Sequence, residues 1–205
     1  MRLTEVLYNP DGFFEEAKEK GIGFAIPFLI VLISGILGGI TTYIIVKSIL
    51  TVGIEKIPGE QNKALIQFLS AGTIPAVIIM NLIGWILLSA VIYLISRFFS
   101  KEGNFSLMLK FMGFSYIPSI IFFPFNLYVS LSLSDLIKSI GFEELAKTEL
   151  WAASKITSLA VLAWQFTFWV FAVKNVRNIT LGKAVISASV PALALLIFTL
   201  ISYRF

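Results

Sequence analysis

The chain contains neither cysteine nor histidine. Without thiols there is no disulfide framework, thiolate nucleophile or sulfur-ligated metal. Without imidazole the commonest general base and transition-metal ligand are missing as well. Charge is also scarce: Asp, Glu, Lys and Arg make up 14% of the 205 residues. The 12 carboxylates fall outside the long apolar runs, with no base or nucleophile beside them. No phosphate-binding loop exists either, since Gly182-Lys183 leads into Ala184 and lacks the earlier glycine. These absences argue against an enzyme and give no catalytic residue, cofactor or metal site to expect. Basic residues are not clustered with aromatics, so the net charge of +4 is assigned to loops beside a membrane and not to nucleic-acid binding.

What is present is apolar. Hydrophobic residues make up 58% of the chain, and the mean hydropathy is +0.91. A water-soluble core cannot hide that much, so lipid is the solvent for most of it. The fold expected is an all-α polytopic membrane helical bundle with five transmembrane helices and short amphipathic interfacial helices. Residues 1–21 form an N-terminal amphipathic cytoplasmic segment, and residues 22–205 a membrane domain with spans at 22–46, 73–99, 111–133, 156–173 and 184–203. The first uncharged run, about 25 residues at about 1.5 Å each, exceeds the hydrocarbon core of about 30 Å. Lys47 marks its far end, and Pro58-Gly59 reads as a turn. Pro75 is expected to kink the second run or to separate a short interfacial piece from it. Pro118 and Pro124 predict a bent third span packed inside the bundle. Residues 134–155 carry Asp135, Glu143, Glu144 and Glu149 and read as one or two short amphipathic surface helices.

The opening residues do not read as a signal peptide, because Glu5, Asp11, Glu15, Glu16 and Glu19 reverse the charge of a basic leader. Asn9 can cap a helix with Pro10 at its first position. Phe13, Phe14 and Ala17 then share an apolar side, which predicts a short helix resting on the inner leaflet or a lead-in to the first span. Lys and Arg number nine on the N-terminal side, dense in short turns, and seven on the other, spread over longer segments. That density places the N-terminus inside and the C-terminus outside. The acceptor sequons Asn104-Phe105-Ser106 and Asn178-Ile179-Thr180 then lie inside and are expected to go unused.

Within the spans, Gly35 and Gly39 form a GxxxG pair, with Ser34 and Gly38 beside them, and Ala184, Ala188 and Ala192 repeat small residues on the last span. Such faces let helices approach closely, either within one bundle or in self-association. Asn81, Asn126 and Gln165 are amides at membrane depth, where they clamp helices together or line a polar pathway. Apart from Arg97 at the end of the second, no acid or base falls inside the five spans, which counts against ion-coupled carriers, pumps and voltage sensors.

The combination of Asn9, Pro10, Phe13 and Phe14, five spans, and Gly113-Phe114-Ser115-Tyr116-Ile117-Pro118 opening the third resembles the Yip-one domain family, the Rab/Ypt-interacting membrane proteins. The fourth turn, Val173, Val176, Leu181, Gly182, Lys183 and Ala184, is similar to that of prokaryotic members. In eukaryotic relatives the resemblance implies a cytosolic N-terminus, a lumenal C-terminus and vesicle traffic through prenylated small GTPases. This chain lacks the long N-terminal region and the Asp-Leu-Tyr-Gly-Pro motif, so GTPase binding is not carried over. The resemblance implies no catalytic residue or cofactor. From chemistry alone, Gly113 permits close approach, Ser115 can bond a carbonyl freed by Pro118, and Tyr116 suits an interface. Two functions stay open: a non-catalytic scaffold or adaptor in the cell membrane, organising proteins or lipids, and a lipid- or small-solute-conducting protein. The partners expected are membrane lipid and either a protein partner or a second copy.

Overall fold

A computed structural model describes residues 2–54, 61–141 and 144–202. Nine α-helices follow one another among these residues: α1 Pro10–Lys20, α2 Ala25–Ile54, α3 Gln61–Ala71, α4 Thr73–Ser96, α5 Phe105–Gly113, α6 Ile117–Ile121, α7 Phe123–Ile140, α8 Glu149–Arg177 and α9 Leu181–Ser202. No strand occurs among the described residues. Four stretches are individually long and apolar enough to cross a membrane: Ala25–Ile54, Asn62–Ser96, Glu149–Arg177 and Leu181–Ile201. A fifth crossing exists if Phe105–Ile121 and Phe123–Ile140, bent by 53° at their junction, act as one span. Large apolar side chains on the outside, such as Phe198 at 69% exposure, Met80 at 66% and Leu87 at 59%, have lipid as their only comfortable surroundings.

Local chemistry sets the helix ends. Asn9 caps α1 by accepting from the Gly12 N–H at 3.2 Å, Pro10 occupies its first turn, and Gly21 at φ 73° stops it. Asn104 caps α5 through the Leu107 N–H at 2.8 Å, and Thr148 caps α8 through the Trp151 N–H at 3.3 Å. The third span bends where the prolines foretell. The Phe114 carbonyl, which Pro118 cannot bond, accepts instead from the Ile117 N–H in a tight 3₁₀ turn over Phe114–Tyr116. Ser115 does not serve that carbonyl: its hydroxyl donates to the Met112 carbonyl at 2.7 Å, because the tightened turn has already satisfied Phe114.

Several boundaries differ from the sequence reading. Helix α2 does not end at Lys47 but runs on to Ile54, the Lys47 ammonium reaching over the Tyr43 ring instead of stopping the helix. Helices α3 and α4 are nearly continuous through Gly72, whose N–H bonds the Phe68 carbonyl and whose carbonyl takes the Ala76 N–H. Among the described residues of 134–155 no separate surface α-helix occurs: the first part is the end of α7, Leu145–Lys147 is a single 3₁₀ turn, and Glu149–Lys155 begins α8. Apolar residues at helical spacing and a few acids look alike on a surface helix and on the outer turns of a long span. The Pro58-Gly59 turn, Glu143 and Tyr203 lie outside the described residues.

Helix α2 is the hub, packing on α4 and α7, while α8 pairs with α9 and carries α1. Gly35 and Gly39 face α4 at close range: a Cβ on Gly39 would sit 3.1 Å from the Ile74 Cα, and one on Gly35 3.3 Å from that of Ile78. Gly113 makes a tighter crossing, its Cβ position only 2.7 Å from the Pro27 Cβ of α2. Ala184 and Ala188 of α9 are fully buried, and Ala192 packs on the same core. That core is aromatic and sits toward α1. Phe14 stacks on Phe111 at 4.8 Å between centroids, and Phe13 meets Phe114 edge-on at 5.0 Å. Helix α1 therefore buries Phe13, Phe14 and Ala17 against protein and not in a lipid leaflet. An apolar stripe has the same pattern whichever it meets.

Candidate functional site

At the end of the bundle where α8 finishes, Arg177 is completely buried. Its Nε donates to the Ser96 hydroxyl at 2.9 Å, Nη1 to the Glu102 carbonyl at 2.5 Å and Nη2 to the Tyr93 carbonyl at 2.7 Å. The guanidinium carbon also lies 3.9 Å from the centre of the Tyr93 ring. These partners belong to the last turn of α4 and the segment after it, where helix carbonyls lack intrahelical donors and the macrodipole is negative. A planar fork with several donors fits three separated acceptors in a way an ammonium cannot. In the sequence Arg177 counts only as one of three basic residues, with Lys174 and Lys183, in the short turn before the last span. It instead ends the long α8 helix with its side chain folded inward, a direction that a run of Lys, Asn and Arg does not encode.

Around it the same turn holds α1. Lys18 donates to the Asn175 carbonyl at 2.8 Å and to the Asn178 side-chain oxygen at 2.6 Å. Lys174 pairs with Asp11, and the Asn175 amide donates to Asp11 at 2.9 Å. Asn178, left-handed at φ 50°, donates to the Glu102 carboxylate. Lys110 reaches the Ile22 carbonyl at 2.8 Å. Both sequon asparagines thus have local structural bonds, Asn104 as a helix cap and Asn178 as part of this clamp. Partial burial raises the Asp11 pKa, but the hydrogen bonds from Lys174 and Asn175 outweigh it and hold the carboxyl below its ordinary 3.8. A depressed carboxyl contributes stability above the unfolded-state value and loses it as pH falls through the folded-state value. Acidification below about pH 4 should therefore loosen α1, by less than about 1 kcal/mol for so exposed a pair. Protection factors from hydrogen exchange over residues 10–20, taken relative to the intrinsic amide rate at each pH, should be lower at pH 3 than at pH 6, and Asp11→Asn should remove most of that difference.

At the opposite end, α2, α7 and α8 enclose a cavity of about 460 Å³ lined by Thr41, Asn126, Ser130, Ser154 and Ser158 among apolar neighbours. A smaller cavity of about 180 Å³ continues toward the bundle centre past Ser34, Asn81 and Ser119, and shares Thr41 and Asn126 with the first. Just beyond, the Ser48 and Ser134 hydroxyls are bonded at 2.5 Å. Two of the three amides bind across helices: Asn81 donates to the Val31 carbonyl at 2.8 Å and Gln165 to the Ser119 hydroxyl at 3.0 Å. The Asn126 carboxamide, by contrast, makes no side-chain hydrogen bond among the described residues and stands where the cavities meet. Tyr116 lies in a different part of the bundle. Together with Ser115, Gln165 and Trp169 it lines a third, largely apolar cavity of about 480 Å³ between α4, α8 and α9.

The sequence reading missed the hydroxyl lining, yet a signal existed. Ser34, Thr41 and Ser48 recur every seven residues on α2, Asn126, Ser130 and Ser134 every four on α7, and Ser154 and Ser158 four apart on α8. Among the described residues no group of three acids could hold a metal ion.

An all-helical bundle with several membrane-length apolar helices is an integral membrane protein of the polytopic α-helical class. The chain belongs to the Yip1 domain family, which it matches over residues 4–203. It is also 35% identical over 121 residues to the uncharacterized protein MJ0794 of the archaeon Methanocaldococcus jannaschii, covering 59% of this chain and 82% of that protein. No solved structure matches.

Proposed function

We propose that this protein is a non-catalytic membrane scaffold, inserted in the cell membrane with α1 on the cytoplasmic side and the C-terminus outside. The observation that carries this reading is the docking of α1. Buried Phe13 and Phe14, the Asp11–Lys174 pair and the Lys18 bonds hold that helix in place, while Glu15 and Glu19 stay exposed. A partner meeting such a face loses little entropy in ordering it. An acidic face suits a partner with basic residues, and GTPase binding forms no part of the reading. Native mass spectrometry of the protein released gently from its own membrane tests it. A stoichiometric foreign protein, lost in the double variant Glu15→Gln and Glu19→Gln, is expected; a chain carrying lipid alone overturns it.

Orientation has its own test, because the cysteine-free sequence accepts single reporters cleanly. In intact cells a membrane-impermeant maleimide should label Lys138→Cys and spare Glu19→Cys, and in inverted vesicles the pattern should reverse. A second reading, passage of lipid headgroups or small solutes, is favoured by the uncharged polar cavities at Thr41 and Asn126.

A further inference from the structure

We propose that the two neighbouring cavities that share Thr41 and Asn126 bind an uncharged, hydroxyl-bearing group, a polyol or glycosyl moiety. This rests on the second reading above and names its ligand class. The lining has polar side chains from five helices, α2, α4, α6, α7 and α8, and no Asp, Glu, Lys or Arg. An anionic headgroup would lose its water there without meeting a cation, and an ammonium without meeting a carboxylate. The hydrogen bonds already made inside the protein fix what the lining offers. A hydroxyl has one proton and two lone pairs. Thr41 gives its proton to the Gly38 carbonyl at 2.9 Å and Ser154 to the Trp151 carbonyl at 2.8 Å, so both retain only acceptor capacity. Asn81 commits one amide proton to Val31 and keeps its carboxamide oxygen as an acceptor. Ser34, Ser119 and Ser130 keep a proton to donate, Ser119 accepting from Gln165, yet lone pairs still outnumber free protons across the lining, a surplus of neutral acceptors that a ligand rich in hydroxyl donors satisfies. Asn126 complements them, able to donate to and accept from the same ligand.

Size and placement agree. The larger cavity lies within the range of ligand pockets, about 300–1,000 Å³. The smaller one, closed by the tight α2–α4 crossing at Gly35, has room for little more than the tip of such a group. Thr41 and Asn126 wall both, so a group moving from one cavity to the other passes between them.

The test uses the full chain in phosphatidylcholine vesicles containing glucosyl diacylglycerol and phosphatidic acid in equal amounts. Native mass spectrometry reads retained lipid, and stopped-flow light scattering reads glycerol entry. Wild type should retain the glucosyl lipid about tenfold over phosphatidic acid, which assigns a lipid source, or admit glycerol about tenfold faster than empty vesicles, which assigns a free polyol. Either effect should fall about fivefold in Asn126→Leu and in Thr41→Val. The second variant conserves shape, so it reads the site even if the first misassembles. Equal retention of both lipids with glycerol entry no faster than empty vesicles overturns the proposal, as does an effect that neither substitution changes. Retention sensitive to Thr41→Val without any movement of lipid or glycerol supports the site and sinks the conduction reading. Movement insensitive to both variants keeps conduction and sinks the site.

Discussion

Replacing Arg177 with alanine should destabilise the protein by about 3 kcal/mol or more, since it leaves buried acceptors unpaired and removes the side chain that fills the space between them. The Tyr93 and Glu102 carbonyls and the Ser96 hydroxyl all face one guanidinium. The Ser96 hydroxyl already donates to the Tyr93 carbonyl at 2.9 Å, so it can partly cover for the missing arginine there but not at Glu102. Arg177→Lys should lose less than alanine, because it keeps the charge, yet a point-like ammonium on a different stem cannot span three acceptors. Thermal unfolding of detergent-solubilised protein, followed by fluorescence-detected size exclusion, should rank wild type above lysine and lysine above alanine. Limited proteolysis should then cut between α1 and α2 fastest in the alanine variant, because Asn178 and Lys18 tie the same turn to α1. Equal stability of all three would mean that the guanidinium is dispensable and that the aromatic core alone holds this end together.

The spans were legible because membrane solvation writes a coarse signal: a long uncharged run has one stable form in lipid. The bend in the third span was legible for a related reason, since Pro118 and Pro124 remove backbone donors whatever surrounds them. The Asn9–Pro10 start of α1 could likewise be read, because a cap is chemistry within four residues. What hydropathy does not contain is the identity of the neighbour. Phe13 and Phe14 present the same stripe to a leaflet or to Phe111 and Phe114. Residues 134–155 have the same periodicity on a surface as along the outer turns of α7 and α8. Lys47 fails to end α2 because a long side chain can carry its charge away from the helix that bears it.

The site was less legible, and the two ends of the bundle differ in why. Asn81, Asn126 and Gln165 stood out as amides in apolar runs, but only their neighbours separate two clamps from the one whose side chain stays uncommitted. Hydroxyls did not stand out, because a serine in a span usually bonds its own helix, as Ser89 does with the Trp85 carbonyl at 2.7 Å. Only the coincidence of several helices makes a lining of them. Arg177 was invisible for a sharper reason. Its burial depends on Ser96 and Glu102, 81 and 75 residues away in the chain.

Gly103→Ala should rival the loss of Arg177, because it strikes the same junction from the backbone side. Gly103 sits at φ +73°, where a side chain strains the backbone by about 1–2 kcal/mol. Its added Cβ would also lie 2.2 Å from the Val176 carbonyl oxygen and 2.8 Å from the Val176 Cγ1. That oxygen belongs to the last turn of α8, next to Arg177, so relieving the overlap must move either the turn or the Glu102 carbonyl that Arg177 binds. The expected loss is about 3 kcal/mol or more, from strain and overpacking together. Gly141→Ala supplies the contrast: its φ of +83° and ψ of 168° also favour glycine, but nothing lies within 4 Å of the added carbon. It should cost the backbone strain alone, about 1–3 kcal/mol. If the two variants melt together, backbone strain is the whole effect and the contact with α8 is looser than its geometry. If Gly103→Ala melts well below Gly141→Ala and also frees α1 to protease, then α1 is held through a chain of contacts running from Gly103 through Val176 and Arg177. A partner gripping α1 would then feel the packing of α4 against α8 on the other side of that turn.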